Sequence, residues 1–360
     1  MPRFGSNFIV LRGDKNTAPS QYLQGTVQLR LPTSQKVKGV RLSMVGHLRA
    51  APHEPSLPAF GTSQTHTIFE HEWEPFDITP LAEPDASGRI PAGNYEWPFE
   101  LLIPGDTPET TKGCSRCSIA YYLKADTIRE KPGAVPQSFR GIRIMRTLPT
   151  ADFEMMDATT VQSKCGDVLS YTVSVSHRAV ALGTSVPVEV NVSLPGPGWR
   201  AESIVSRLVE VHELDSSVVS GHSAYSGVRE VLSWDLLEIH GRKDNMEKEL
   251  EETLCIVEEL PLPQEARHCS PDVDALGIRV SHVLHVDFVL ENGEGEVIKR
   301  HVPIPIILFV SPAMPINGMG HFIRTRSPSP VSTCAGLLVP PPYGCHFGDE
   351  KLEVPSSPEG

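Results

Sequence analysis

Residues 186–194 read VPVEVNVSL, and this short stretch predicts the fold class most clearly. Its valines and its final leucine occupy every second position, whereas Pro187, Glu189, Asn191 and Ser193 fill the positions between them. Successive side chains of a β-strand point to opposite faces of the sheet, so this alternation indicates one buried face and one solvated face. The stretch therefore predicts an antiparallel strand that covers a hydrophobic core.

The same alternation recurs along most of the chain. It is found in GTVQLRL (25–31), KGVRLSM (38–44), VLSYTVSV (168–175) and SHVLHVDFVL (281–290). Helical patterns are sparse, although NMEKELEETL (245–254) fits either a short helix or a charged connection between strands. Many short alternating strands punctuated by Gly and Pro are typical of sandwiches. We predict an all-β chain of two tandem antiparallel immunoglobulin-like β-sandwiches.

Two breaks in the pattern set the predicted domain boundaries. Alternation stops at Pro149 and resumes near Val168, and the chain beyond Ser311 is rich in Pro, Gly and Ser. Such a composition buries too little apolar surface to offset chain entropy, so we predict that the end of the chain is disordered. The predicted division is a first sandwich, a linker, a second sandwich and a disordered tail, at residues 1–148, 149–163, 164–312 and 313–360.

Two local features predict how individual strands are placed. Pro303 and Pro305 alternate in HVPIPIIL (301–308), and a proline donates no ladder hydrogen bond. This stretch should therefore form an edge strand whose proline side lacks a partner. Trp97 and Phe99 share one face of a second strand and should pack into the first core.

Composition narrows the class of protein. The net charge of −12 argues against bulk affinity for nucleic acid. Residues 1–24 lack the basic start and apolar core of a secretory signal, and seven cysteines without a framework spacing fit a reduced, cytosolic compartment. No apolar run reaches the roughly 18 residues that a membrane-spanning helix needs.

Motifs of catalysis or metal binding do not stand out. We find no nucleophile elbow, P-loop or HExxH pattern, and GPGWRA (196–201) lies between two strands, where it predicts a turn. Cys114 and Cys117 have a CxxC spacing without the second pair that a structural zinc site requires. His282 and His285 should point to opposite faces of one strand. We predict no enzyme activity, no cofactor and no metal site.

Several of these strands together resemble a known family. The stretches at 22–50 (YLQGTVQLRLPTSQKVKGVRLSMVGHLRA), 93–110 (GNYEWPFELLIPGDTPET) and 117–130 (CSIAYYLKADTIRE) are similar to the arrestin N-terminal domain. Those at 165–194, which opens with CGDVLSYTVSV, and at 281–308, which ends with VIKRHVPIPIIL, are similar to the arrestin C-terminal domain. The resemblance implies the arrestin fold over roughly residues 4–310.

A proline-rich motif extends the resemblance to one branch of that family. Pro340, Pro341, Pro342 and Tyr343 match the pattern PPxY, which favours a polyproline II segment that WW domains bind. The α-arrestins, also called arrestin-related trafficking adaptors, have two arrestin lobes followed by such motifs. There the motif recruits a WW-domain HECT ubiquitin ligase, and the lobes recognise a membrane transporter or receptor that is ubiquitinated and internalised. The resemblance implies a cytoplasmic adaptor that is recruited to the plasma membrane or endosomes.

Two alternatives remain open. One is an arrestin-fold scaffold or coat subunit in pH signalling or vesicle sorting, which would need no ligase. The other is a hydrolase or a carbohydrate-binding sandwich, which a pocket with converging carboxylates would favour.

Basic residues are concentrated between Lys112 and Arg146, where eight basic and two acidic residues occur. One interpretation is a solvated strand edge. The other is a site for acidic cargo tails or anionic lipid headgroups, because the guanidinium fork binds carboxylate or phosphate in a bidentate manner. The candidate residues are Lys124, Arg129, Arg140, Arg143 and Arg146.

Modification sites are suggested near the second lobe and in the tail. Adaptors of the resembled family are themselves ubiquitinated near the start of the second lobe, and Lys164 is the lysine nearest that place. Its alternative is an ordinary exposed lysine. Ser327 and Ser329 each precede a proline and are candidates for phosphorylation, although such pairs are common in tails.

Overall fold

The computed structural model describes residues 7–50, 64–112, 117–129, 137–147, 158–165, 169–215, 225–243, 253–312, 314, 316–317 and 320–323. Within these ranges the chain forms eighteen β-strands and one helix. The predicted all-β class, with two sandwiches in tandem, is confirmed.

The N-terminal lobe contains the first eight strands. They are β1 (Phe8–Arg12), β2 (Gln21–Leu31), β3 (Gly39–Ala50), β4 (Gln64–Glu72), β5 (Phe76–Asp77), β6 (Gly93–Ile103), β7 (Cys117–Ile128) and β8 (Gln137–Thr147). One sheet has the order β1-β8-β7-β3-β4, with β5 paired to β3, and a second consists of β2 and β6. The predicted core residue Trp97 is buried between them, and Phe99 packs at the edge of the same core.

The C-terminal lobe contains the remaining strands and the helix. They are β9 (Thr159–Cys165), β10 (Leu169–Val175), β11 (Ala179–Ala181), β12 (Ser185–Ser193), β13 (Trp199–Leu214), β14 (Tyr225–Asp235), α1 (Leu236–Lys243), β15 (Thr253–Pro261), β16 (Val273–Ala275), β17 (Ile278–Asn292) and β18 (Val297–Phe309). The order β15-β12-β10-β9 forms one sheet, and β11-β18-β17-β13-β14 forms the other, with β16 paired to β17.

The alternating stretches bury the faces that the sequence predicts. Val186, Val188, Val190 and Val192 of β12 are at most 1% exposed. They face a row on β17 that is fully buried in the same core, namely Leu284, Val286, Phe288 and Leu290. Apolar burial on this scale is the main favourable term in folding, at about 25 cal/mol per Å².

Each lobe contains one short parallel strand pair that alternation alone does not reveal. Strand β1 runs parallel to β8, and β11 runs parallel to β18. In both lobes a short strand thus lies beside the last long strand of its sheet. The two halves share a design, as the similar order of their strands suggests.

The prolines of β18 lie where the sequence predicts. Pro303 and Pro305 pair with β17 on one side. On the other side β11 pairs only with Ile307, Leu308 and Phe309 in the described part of the chain. The side of β18 beside the prolines is therefore open among the described residues, as predicted, although the strand itself lies between β11 and β17 in the sheet.

The described structure extends on both sides of the predicted C-terminal sandwich. Strand β9 begins at Thr159, within the predicted linker, because its backbone pairs with β10. Beyond residue 312, Ile316 bridges to Phe322 and His321 bridges to Glu265. Phe322 packs in the C-terminal core, so the chain stays attached to this lobe as far as the described residues reach.

The sheet that contains β13 and β17 contributes to both cores. Its upper part, with Leu208 and Leu284, packs inside the C-terminal lobe. Its lower part, with Leu214, Ile278 and Val280, packs against the N-terminal core. One continuous sheet therefore connects the two lobes.

The helix α1 has eight residues, and among the described residues no helix combines the length and apolarity that a bilayer crossing demands.

Candidate functional site at the lobe junction

Buried polar side chains gather where β13 and β17 pass from one core to the other. Glu210 of β13 lies opposite His282 of β17 and opposite Arg229 of β14. Glu210 and His282 are at most 1% exposed. Burial of a polar group costs free energy unless the group is hydrogen-bonded or paired with an opposite charge. The contacts within this cluster offset that cost.

The two oxygens of Glu210 have different partners. Its Oε1 accepts hydrogen bonds from Arg229 at 2.8 Å and 3.1 Å, and it lies 2.6 Å from Nε2 of His212. Its Oε2 accepts a hydrogen bond from the backbone N–H of Ser270 at 3.1 Å and lies 3.5 Å from Nε2 of His282.

A loop at residues 262–272 closes the cluster. Cys269 is buried, and its Sγ lies 3.6 Å from Nε2 of His282. Asp272 holds the other side of that ring, with Oδ1 at 2.6 Å from Nδ1. The same Oδ1 accepts a hydrogen bond from the backbone N–H of Leu308, which ties Asp272 to β18.

The N-terminal lobe contacts this loop directly. Arg143 of β8 donates a hydrogen bond to the backbone carbonyl of Ala266. The hydroxyl of Ser270 donates to the backbone carbonyl of Lys112 at 3.4 Å. The 262–272 loop is therefore held by both lobes at once.

The cluster favours charged forms of its central pair. Burial acts to raise the pKa of Glu210, but hydrogen bonds from His212, His282 and the Ser270 backbone, together with Arg229, outweigh it and hold this pKa well below its usual range. Burial acts to lower the pKa of His282, but its contacts with Asp272, Cys269 and Glu210 raise that pKa well above 6.5. The cluster is thus an internal network of opposite charges.

Three members of the cluster are of the types that bind metal ions. Glu210, Cys269 and His282 each offer one ligand atom, and these atoms lie within 4.8 Å of one another. The three residues are far apart in the sequence, so spacing alone did not reveal them. Only the pairing of β13 with β17, and the path of the 262–272 loop, bring them together.

The predicted opposite orientation of His282 and His285 is confirmed, because His285 is half-buried on the other face.

A basic cleft of about 230 Å³ opens beside the cluster, between β1, β8 and the 262–272 loop. Lys112, Arg143 and Arg267 line it, with Arg267 in an ion pair with Glu265, and Tyr122 supplies aromatic surface. Burial lowers the pKa of Arg143 to about 10, against the attraction of Cys269 and Glu210. Burial, followed by the charge of Arg143, lowers the pKa of Lys112. An anionic group would relieve this repulsion.

The structure does not bring the five predicted basic residues to one surface. Lys124 and Arg143 lie on the outer face of the β7–β8 pair, where Lys124 contacts Asp126 at 3.2 Å. Arg140 and Arg146 lie on the opposite face, because Arg140 pairs with the buried Leu123.

These basic residues also differ in the partners that their side chains contact. Arg146 forms an ion pair with Glu109 and donates to the backbone carbonyls of Gly105 and Thr107. Arg140 donates to the side chain of Asn7. Arg129 is exposed at the end of β7 and donates to Gln35 at 3.3 Å. Their role in binding cargo or lipid stays a prediction, and Arg146 is engaged inside the lobe.

The other predicted sites lie mostly outside the described residues. This holds for Ser327 and Ser329 and for Pro340, Pro341 and Tyr343 of the PPxY motif. Lys164 lies in β9, where its backbone pairs with that of Ser170 in β10. The structure does not describe its side chain. Cys114 is also outside it, and Cys117 is buried in the N-terminal core.

Two family models match the chain in sequence order. The model described as arrestin (or S-antigen), N-terminal domain, matches residues 13–147. The model described as arrestin (or S-antigen), C-terminal domain, matches residues 166–313. The two matches correspond to the two lobes.

Curated fungal proteins are similar over almost the whole chain. A probable HECT-type ubiquitin ligase-interacting protein creD of Aspergillus oryzae is 28% identical over 97% of this chain and 59% of its own length. The HECT-type ubiquitin ligase-interacting protein creD of Emericella nidulans is 27% identical over 97% of this chain and 59% of its own length. The chain therefore spans about three fifths of the length of these relatives.

Proposed function

The chain belongs to the arrestin family, and we propose that it is a non-catalytic adaptor that binds a HECT-type ubiquitin ligase. The observation that carries the proposal is the combination of two arrestin lobes with a PPxY motif at residues 340–343. The names of the fungal relatives, which describe proteins that interact with such ligases, support it.

The proposed contact with the ligase is the PPxY motif. Consecutive prolines fix the polyproline II conformation, so a WW domain binds them with little loss of chain entropy. Tyr343 would enter the neighbouring aromatic pocket. A single motif gains no avidity, so a second contact between adaptor and ligase would strengthen the complex.

The proposed contact with cargo is made by the lobes. The sheet shared by both cores makes the lobes one platform, with Leu214 and Ile278 seated in the N-terminal core. The basic cleft at Lys112, Arg143 and Arg267 suits an acidic cytoplasmic segment of a membrane transporter or receptor. Lys124 lies on the same outer face as Arg143 and would extend this surface.

The proposed outcome is ubiquitination and endocytosis of the cargo at the plasma membrane or at endosomes. Holding cargo beside the ligase raises the effective concentration of the reacting groups, so the adaptor needs no catalytic residues of its own. Lys164, Ser327 and Ser329 remain proposed sites of ubiquitination and phosphorylation that would regulate this step.

Binding to isolated WW domains of a HECT ligase tests the ligase contact. The full chain should bind in titration calorimetry, and Tyr343→Ala should weaken binding by at least tenfold. Phe347→Ala, which changes another aromatic residue of the same tail, is the matched control and should bind as the unsubstituted chain does. Equal affinity of the Tyr343→Ala chain would contradict ligase recruitment through PPxY and favour a scaffold or coat role.

A further inference from the structure

The cluster of Glu210, Cys269 and His282 offers three of the four ligands of a tetrahedral zinc site, at separations that fit such a site. In a tetrahedral site, Zn–S and Zn–N bonds of about 2.3 Å and about 2.05 Å place sulfur and nitrogen about 3.6 Å apart. Sγ of Cys269 and Nε2 of His282 are 3.6 Å apart. In the same geometry, the Zn–O and Zn–N bonds place the carboxylate oxygen and the imidazole nitrogen about 3.3 Å apart. Oε2 of Glu210 and Nε2 of His282 are 3.5 Å apart.

The atoms that would bind the ion point toward one another, and the remaining atoms are engaged elsewhere. Oε1 of Glu210 is held by Arg229, whereas Oε2, which also accepts a hydrogen bond from the backbone N–H of Ser270, lies on the side of His282. Nδ1 of His282 is held by Asp272 at 2.6 Å, which leaves Nε2 toward Cys269 and Glu210. A carboxylate behind a metal-binding histidine fixes the ring orientation and strengthens the ligand.

The charge balance also suits a divalent ion. Glu210 and a Cys269 thiolate supply two negative charges, and a neutral His282 supplies none. The two negative charges of these ligands match the two positive charges of Zn²⁺.

The choice of zinc follows from the ligand types. The thiolate is a soft ligand and the imidazole an intermediate one, and only the carboxylate is hard. Mg²⁺ and Ca²⁺ take oxygen ligands, so they are not the preferred ions of this set. Among the residues that the structure describes, these three form the cluster whose ligand atoms all lie within 4.8 Å of one another.

We propose that Glu210, Cys269 and His282 are three ligands of a Zn²⁺ site that fastens the junction between the two lobes. The ion would join β13, β17 and the 262–272 loop at the level where the shared sheet passes between the cores. Arg143 of the N-terminal lobe contacts this loop at Ala266, so zinc would stabilise the interface as well as the C-terminal lobe. The proposal is independent of the ligase and cargo partners.

The test is zinc binding by the full chain with matched cysteine variants. The purified chain is stripped with a chelator, loaded with ZnCl₂, separated from free metal, and its zinc content is measured by elemental mass spectrometry. We expect one tightly held zinc per chain in the unsubstituted protein and in Cys255→Ala, which changes an exposed cysteine of β15. Cys269→Ala should lose that zinc, and Asp272→Asn should bind it about 10 to 100 times more weakly.

X-ray absorption of the zinc-loaded, unsubstituted chain keeps the proposal testable even if a variant fails to fold. One sulfur ligand with nitrogen and oxygen ligands is expected. No zinc above the buffer level, zinc bound by several sulfur ligands, or unchanged binding by a folded Cys269→Ala chain would each overturn the proposal.

Discussion

Val280 and Leu284 lie four residues apart on the same face of β17, yet they pack in the cores of different lobes. His282 lies between them on that face and carries the buried polar cluster. The two lobes are therefore not separate bodies joined only by a linker. A continuous sheet enters both hydrophobic cores, and this arrangement makes the stability of one lobe depend on the other.

Truncation of Ile278 should reveal this dependence. Ile278 belongs to a C-terminal strand but is fully buried in the N-terminal core. Ile278→Ala should lower the free energy of unfolding by about 2–5 kcal/mol, and calorimetry should show one transition that moves as a whole. Val257→Ala, at a side chain that is 62% exposed on β15, is the control and should change little. Two separate transitions, of which only one moves, would contradict a shared sheet.

Arg146 should behave as a structural residue. Its guanidinium pairs with Glu109 and with three backbone carbonyls, and the side chain is 11% exposed. Arg146→Ala would leave a carboxylate unpaired and should cost about 3–5 kcal/mol in urea unfolding. Arg129→Ala, at an exposed position, should stay within about 0.5 kcal/mol. A stable Arg146→Ala chain would show that this arginine is free to serve a ligand instead.

Asp287 should contribute to acid unfolding. Burial opposes the shift, but hydrogen bonds from His301 and Arg207 lower the pKa of Asp287 below 3.8. A lowered pKa in the folded state stabilises the protein above pH 3.8, and this contribution is lost as the pH falls through the folded value. The Asp287→Asn chain has no carboxylate to protonate at this position. Its free energy of unfolding should therefore fall less steeply than that of the unsubstituted chain as the pH is lowered to about 3. Ser233→Ala, a neutral change opposite Arg207, should leave that slope unaltered.

Gly105 should not tolerate a side chain. A Cβ atom there would collide with the backbone carbonyl of Ala18, which cannot rotate away. Gly105→Ala should cost about 1–3 kcal/mol through overpacking. At Gly141 a Cβ atom would meet nothing within 4 Å, so Gly141→Ala is the matched control. Thermal melts of the two variants should differ by several degrees, and equal melting temperatures would contradict the close approach at Gly105.

The sequence was sufficient to predict strands and their buried faces, because the period of two is a local signal. Val188 and Leu284 were placed on core faces in this way, and Pro303 on an open edge. It also predicted a turn at residues 196–201, of which residues 196–198 form the turn, with a positive φ at Gly198, and residues 199–201 already belong to β13.

Relationships between distant strands were not predictable from local patterns. Arg143 and Arg146 were read as one possible surface site, but they lie on opposite faces of β8. Arg143 contacts Ala266 of the 262–272 loop, whereas Arg146 is paired with Glu109 inside the N-terminal lobe. Glu210 and His282 meet through the register of two long strands, and a bulge at Leu208/Val209 on the β14 side adjusts where Glu210 meets Arg229. Such register depends on the whole sheet, and one sequence does not specify it.

Ubiquitination of membrane proteins near the adaptor is the most direct test of the proposed function. In cells that express the tagged full chain, membrane proteins in its vicinity are captured by proximity labelling, and their ubiquitin content is measured. We predict that Tyr343→Ala leaves the labelled proteins unchanged but removes their adaptor-dependent ubiquitination, whereas Phe347→Ala alters neither. The same ubiquitination with Tyr343→Ala as with the unsubstituted chain would contradict the account.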